Sequence, residues 1–278
     1  MRFGISTHLY HDVPLEQQHL VQIAAHGFDA IELFATRSHF DYRDEAAIAR
    51  LAGWLGETGL ALHSMHAPIT TSFVNGQWGL AFSNAWNDAA RRRSAVDESV
   101  AALAVARRIP MRFLVLHLGV PGELAGEAGI NTREAARRSL EELHAATAPL
   151  GVRLAVEVIP NPLSQADALV ALLEDDLDLP DVGLCLDYGH AFLMGDVVDA
   201  IETVSGHLLT THVHDNRGHT DDHLLPFEGA IDWGAALMAT QKVGYDGTLM
   251  FEVAGAESPP TVLHRTRHVR TRFEELIV

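Results

Sequence analysis

The feature that most limits how this chain can fold is a repeated alternation, in which short apolar runs are each followed by a longer stretch with helical spacing. It occurs eight times. The runs are Arg2 to Ser6, Phe28 to Phe34, Leu60 to His66, Arg112 to Leu118, Val152 to Ile159, Val182 to Asp187, Leu208 to His214 and Thr248 to Val253. The helical stretches cover Pro14 to His26, Asp44 to Thr58, Trp86 to Arg108, Thr132 to Ala148, Ser164 to Asp175, Asp196 to Ser205, Asp232 to Val243 and Pro260 to Leu276. Strands separated by helices form parallel sheets, because a parallel partner is reached only through a long crossover. Eight such units in 278 residues point to an α/β protein, a closed (β/α)8 TIM barrel, which takes about 250 residues. No Gly-x-Gly-x-x-Gly follows the first run, so a dinucleotide-binding sheet loses its main support. No linker-like segment breaks the pattern, and a single domain over 1–278 is expected.

In a barrel the carboxyl ends of the strands meet at one mouth. Six successive runs place a ligand-type residue there: His66, His117, Glu157, Asp187, His212 and Glu252. Any one of them alone reads more readily as a locally hydrogen-bonded polar group. Together they need another account. Buried carboxylates without partners are costly, and converging ones repel each other. A divalent cation resolves both problems, so the set reads as a metal site. Two long connections, Ala67 to Ala85 and Asn216 to Ile231, follow strands and belong at the same mouth. In the second, Asp221 and His223 read either as further ligands or as part of a solvated acidic loop. Arg217 reads as a substrate anchor or as an ordinary loop charge. Phe34, Trp78, Trp86 and Phe227 are candidate pocket walls, although packing is the commoner role for aromatic residues.

Charge narrows the partners. Lys and Arg number 20 against 37 Asp and Glu, a net −17, which opposes binding to nucleic acid. The run Arg91-Arg92-Arg93 falls on a helical stretch and reads as a solvated face. One cysteine, Cys185, excludes an internal disulfide framework and fits a reducing compartment. No signal-peptide pattern opens the chain, and no apolar run approaches the roughly 18 residues of a membrane span. A cytoplasmic location without membrane association is expected; a homo-oligomer is left open.

The same residues carry a resemblance. His66-Ala67-Pro68, Leu116-His117-Leu118-Gly119, Glu157, Asp187-Tyr188-Gly189-His190, His212-Val213-His214-Asp215-Asn216, Asp221-x-His223, Gly229-Ala230-Ile231-Asp232-Trp233 and Tyr245-Asp246-Gly247 before Phe251-Glu252 resemble the xylose isomerase-like barrel superfamily. That group joins sugar and sugar-phosphate isomerases and epimerases with endonuclease IV. The resemblance implies that Glu157, Asp187, His212 and Glu252 form a metal quartet. It implies that His190 contacts substrate, as in the isomerases and epimerases, or ligates metal, as in the endonuclease branch. His66, His117, Asp221 and His223 match further ligands of that branch, and His66 and Arg217 are additional substrate-contact candidates. One divalent ion (manganese, cobalt, magnesium or zinc) is expected, with two or three as the alternative. The expected activity is isomerisation or epimerisation of a sugar, keto-sugar or sugar phosphate through an enediolate, with Glu157 and Glu252 as acid and base. The rivals are a lyase or dehydratase on a keto-sugar, a multi-zinc phosphodiesterase or hydrolase, and a non-enzymatic barrel that binds metal or sugar. One departure stands out: the family's Glu-Asn after the fifth strand is here Glu157-Val158-Ile159-Pro160-Asn161.

Overall fold

The computed structural model describes residues 1–120, 130–254 and 257–277. Its strands are β1 (Arg2–Ser6), β2 (Ala30–Phe34), β3 (Ala61–His66), β4 (Phe73–Val74), β5 (Gln77–Trp78), β6 (Phe113–Leu116), β7 (Arg153–Glu157), β8 (Gly183–Asp187), β9 (Leu208–Val213) and β10 (Thr248–Phe251). Eight of them close a barrel in the order β1-β2-β3-β6-β7-β8-β9-β10, with every neighbouring pair parallel. The helices are α1 (Gln17–Ala25), α2 (Glu45–Thr58), α3 (Ala89–Ala102), α4 (Arg133–Thr147), α5 (Ala166–Ala171), α6 (Tyr188–Met194), α7 (Val197–Val204), α8 (Trp233–Lys242) and α9 (Pro259–Leu276). Among the described residues no helix is long and apolar enough to cross a membrane.

The strands read as unbroken apolar runs because both their faces are covered. In β6, β7 and β8 the alternate residues Leu114, Leu116, Leu154, Val156, Leu184 and Leu186 join the large core beneath the helices. The intervening Phe113, Val115, Ala155 and Cys185 form a separate apolar cluster inside the barrel. Two residues further along the same strands, the same inward face carries Glu157 and Asp187, because side chains alternate with a period of two. Strand register sets the heights: Asp187 lies level with His212, Glu32 with Ser64 and Phe34 with His66. Shifts in register between Ile31 and Glu32, and between Leu184 and Cys185, adjust which residues face inward.

Most helices start where an acidic or hydroxyl side chain can accept the first free N–H groups. Asp44 accepts from Ala46 N, Asp88 from Arg91 N, Thr132 from Ala135 N and Asp232 from Ala235 N. Four features differ from the sequence expectation. The third helical stretch, Trp86 to Arg108, is regular only over α3. The fifth, Ser164 to Asp175, is a short α5 that widens into a π-turn at Leu172–Asp176. Two elements were not anticipated: the turn of helix α6 directly after β8, and the β4–β5 hairpin. The hairpin's signal was Asn75-Gly76, whose φ values of 53° and 75° are those a tight two-residue turn requires.

Candidate metal centre and active site

The carboxyl ends of β3, β7, β8, β9 and β10, together with the loops after β6, β8 and β9, bring nine of the ten candidate site residues together. Among the described residues three groups of ligand-type atoms form, each with all its atoms within 4.8 Å of one another: Glu157, Asp187, His212 and Glu252; His66, His117 and Glu157; and His190, His214, Asp221 and His223. Glu157 joins the first two. Its Oε2 accepts from His66 Nε2 at 3.0 Å and His117 Nε2 at 3.1 Å. Its Oε1 lies 3.2 Å from His212 Nδ1 and 3.3 Å from His190 Nδ1. His190 links the third group to the others, with Nδ1 also 3.4 Å from Asp187 Oδ2 and Nε2 3.1 Å from Asp221 Oδ2.

Local structure aims these side chains. Asp187 caps α6 by accepting from His190 N at 2.7 Å, which turns the helix back over the mouth and returns His190 to the cluster. Gly189 sits between them because a Cβ there would come within 2.0 Å of the His214 ring. His66 is oriented by its Nδ1 on Ala67 O at 2.8 Å, and His223 by its Nδ1 on Glu252 O at 2.7 Å. In each case the carbonyl can only accept, so Nδ1 carries a proton, and Nε2 faces the carboxylates. His223 holds a left-handed backbone, φ 46°, to reach this position.

The loop after β9 is tied down by Asp215, which is buried. Its two oxygens accept from Asn216 N (2.9 Å), Phe227 N (3.0 Å), Ile231 N (3.2 Å) and Trp233 Nε1 (2.9 Å). Gly229 passes so close that a Cβ would approach Asp215 Oδ1 to 2.2 Å. The His214-Asp215-Asn216 and Gly229-to-Trp233 segments are therefore the clamp of this loop, and Asp221 and His223 ride on it.

Burial opposes the charges in the cluster; at His117 it prevails and lowers the imidazole, whereas at most of its neighbours the opposite charges outweigh it. The Glu157 carboxyl is held well below its ordinary range by His212 and His117. Asp187 is held down by His190 and His214, and Asp221 by His223 and His190. In turn, Glu157 raises His66 to about 9 and Asp221 raises His223 to about 10. His190 stands well above its ordinary value because of Asp187 and Asp221. His212 is also well above; burial keeps Cys185 a thiol, so the carboxylates of Glu252, Glu32 and Glu157 are the source. The carboxylates and imidazoles neutralise one another by retaining protons, and a divalent cation would take the place of those protons. The donor set suits one. Glu157 Oε1, His190 Nδ1, His212 Nδ1 and His214 Nδ1 are buried with no hydrogen-bond partner, and unpartnered buried polar atoms require an explanation. The carboxylate-rich quartet matches hard divalent ions and zinc alike, and the imidazole-rich groups match zinc.

Other candidates fall outside. The Arg217 side chain is 64% exposed and lies 3.8 Å from Asp222, away from the ligand groups. Phe227 packs on Trp233 and Phe273, not toward the mouth. Trp86 lies under the Arg91 guanidinium. Phe34 and Trp78 do form a wall: Phe34 is 5.7 Å from the His66 ring, and Trp78 meets Phe34 edge-on at 6.3 Å while stacking on His11 at 5.3 Å. Among the described residues, three of the site were not among the candidates: Glu32, 3.1 Å from His212 Nε2; His214, 3.0 Å from Asp187; and His8, whose ring lies 5.0 Å from that of His223. His214 was legible in principle, because it lies two residues beyond His212 and so faces the same way. A cavity of about 460 Å³ opens at the opposite face, lined by Arg2, His63, Arg112 and Arg153 among others, and it holds none of the three ligand groups.

Known proteins share this architecture. An inosose isomerase of Bacillus velezensis is 24% identical over 253 residues, 85% of this chain and 82% of its own. A D-tagatose 3-epimerase-like protein superposes with a TM-score of 0.78 at 21% identity, covering 100% of this chain and 98% of its own. The IOLI protein, solved with a bound zinc atom, gives 0.77 at 17% identity, covering 100% and 98%. The family described as xylose isomerase-like TIM barrel matches residues 20–271, and the chain belongs to it.

Proposed function

We propose that this protein is a divalent-metal-dependent isomerase or epimerase of a sugar or keto-sugar. The observation that carries the reading is the quartet: two glutamates, Glu157 and Glu252, meet one aspartate and one imidazole at the carboxyl mouth of the barrel, with Glu157 Oε1 and His212 Nδ1 left without hydrogen bonds. The likeness to an inosose isomerase supports the substrate class. Glu157, Asp187, His212 and Glu252 would hold one ion, and zinc in a related barrel is consistent with this.

Glu157, Asp187, His212 and Glu252 would hold a divalent ion there, which would supply positive charge beside the substrate carbonyl. The chain's own groups do the rest. One of Glu157 and Glu252 takes the proton from the carbon beside the carbonyl, and the other delivers a proton to that carbon or its neighbour. Ionised Glu157, held so by its four imidazole neighbours, is ready to accept. His190 is placed to hold a substrate oxygen. Phe34 and Trp78 shield one side of the mouth from water.

The full set of imidazoles favours a second reading, multi-metal hydrolysis, because His66, His117, Asp221 and His223 complete two further ligand groups. The net charge of −17 opposes a nucleic acid substrate. A screen of ketoses, inososes and 3-keto-sugars in deuterated water separates the two. Isomerisation or epimerisation incorporates deuterium at carbon, and Glu157→Gln and Glu252→Gln lose both exchange and turnover by about 10²–10⁴-fold. Full activity in both variants would end the two-glutamate mechanism. A lyase acting through the same enediolate is recognised by its dehydrated product.

A further inference from the structure

One fully buried carboxylate of the barrel interior belongs to none of the three ligand groups. Glu32 sits on β2, level with Ser64 on β3, and has no exposed surface. An isolated carboxylate there would cost several kcal/mol, so its partners decide what it does. Ser64 Oγ donates to Glu32 Oε2 at 2.8 Å. His212 Nε2 donates to the same oxygen at 3.1 Å and lies 3.0 Å from Oε1. The opposite nitrogen of that ring, His212 Nδ1, faces Glu157 Oε1 at 3.2 Å, Glu252 Oε2 at 3.3 Å and Asp187 Oδ2 at 3.8 Å, with no hydrogen bond of its own. The imidazole is strung between one carboxylate behind it and three in front.

We propose that Glu32 is a positioning residue that sets His212 as a cation ligand through Nδ1. An ionised carboxylate can only accept, so it keeps a proton on Nε2 and directs the Nδ1 lone pair into the quartet. His66 and His223 are aimed by neutral backbone carbonyls, Ala67 O and Glu252 O. His212 is aimed by a full negative charge, which also makes the ring a stronger donor to a cation. Ser64 prevents Glu32 from rotating away. The inference rests on the quartet's holding a metal, and it concerns a residue that touches neither metal nor substrate.

The test uses the full chain, stripped with a chelator and titrated with Zn²⁺ against a chromophoric competitor. Glu32→Gln preserves the size of the side chain and should fold with unchanged circular dichroism. Its zinc affinity should fall by about 10–100-fold, the usual loss when the partner behind a metal-bound histidine is removed. Wild-type zinc affinity in a folded Glu32→Gln variant overturns the proposal. A second measurement needs no variant: in ¹⁵N spectra of the zinc-loaded wild type, His212 should be metal-bound at Nδ1 and carry a downfield, slowly exchanging proton on Nε2. Coordination through Nε2 overturns the proposal even if the variant fails to fold. A wild-type chain that takes up no zinc or manganese defeats the functional reading as well, whereas uptake unaffected by Glu32→Gln defeats this inference alone.

Discussion

Glu157→Gln in the metal-free protein tests how the cluster is held together. Glu157 touches four imidazoles, and His66 is the one whose value is most plainly set by it. Burial works against a charge on His66, yet the Glu157 hydrogen bond and charge, with lesser contributions from Glu252 and Glu32, lift it from 6.5 to about 9. A difference of about 2.5 pH units is worth about 3 kcal/mol. Because the folded value is the higher one, this contribution is complete below about pH 6.5 and disappears as pH rises through 9. Glutamine keeps the shape and removes the charge. The variant should therefore lag the wild type by about 3 kcal/mol at pH 6, with the deficit shrinking toward pH 10. Urea unfolding of chelator-treated protein at pH 6, 8 and 10 measures it. A deficit constant across that range would refute the electrostatic account and leave packing as the cause. A deficit that grows with pH would have the wrong sign altogether.

Three further outcomes are expected. His39 is buried, its Nδ1 meets Val13 O at 2.6 Å, and burial lowers its value from 6.5 to about 4. A lowered folded value gives stability that is present above pH 6.5 and lost as pH falls through 4, about 3 kcal/mol in all; His39→Gln should flatten the acid limb of a stability–pH curve, and an unchanged limb would dismiss His39 as its source. Asp215→Asn puts an amide NH₂ where four N–H groups converge, and should cost about 1–3 kcal/mol in urea unfolding; a neutral result would mean that the loop after β9 is held by other contacts. Trp78→Ala should raise KM about two- to tenfold with kcat little changed, the range of one aromatic contact, and an unaltered KM removes Trp78 from the substrate wall.

The barrel and most of its ligands were legible because both depend on one-dimensional regularities. Buried parallel strands must be apolar throughout, so a His, Asp or Glu at the end of such a run stands out. Strand ends in a barrel converge, so residues as far apart as His66 and Glu252 could be placed together without a contact map. What could not be read depends on register and on loop closure. Glu32 is marked by the same rule as the others, but its partner His212 is 180 residues away, and the shift in pairing beside Glu32 decides which face it takes. Arg217 stands only three residues after His214; the turn built on Asp215 and Asn216 leaves it outward beside Asp222. Asp221 and His223 were evenly balanced between ligand and solvated loop, because no periodicity governs the chain between Asn216 and Ile231.

The site's charge balance bears on why so many imidazoles surround so few carboxylates. Around Glu157, Asp187 and Asp221 the raised histidines are His66, His190, His212 and His223. Each must lose its proton before its nitrogen can bind a cation. The quartet contains only one of these histidines, His212, but it also contains Glu157 and Asp187, whose charges raise His66 and His190, so an ion held there would lower those two values as well. Filling the other two groups would require His66, His190 and His223 to give up their protons as well. The number of metals bound, followed as pH is raised, would measure how far those protons are displaced.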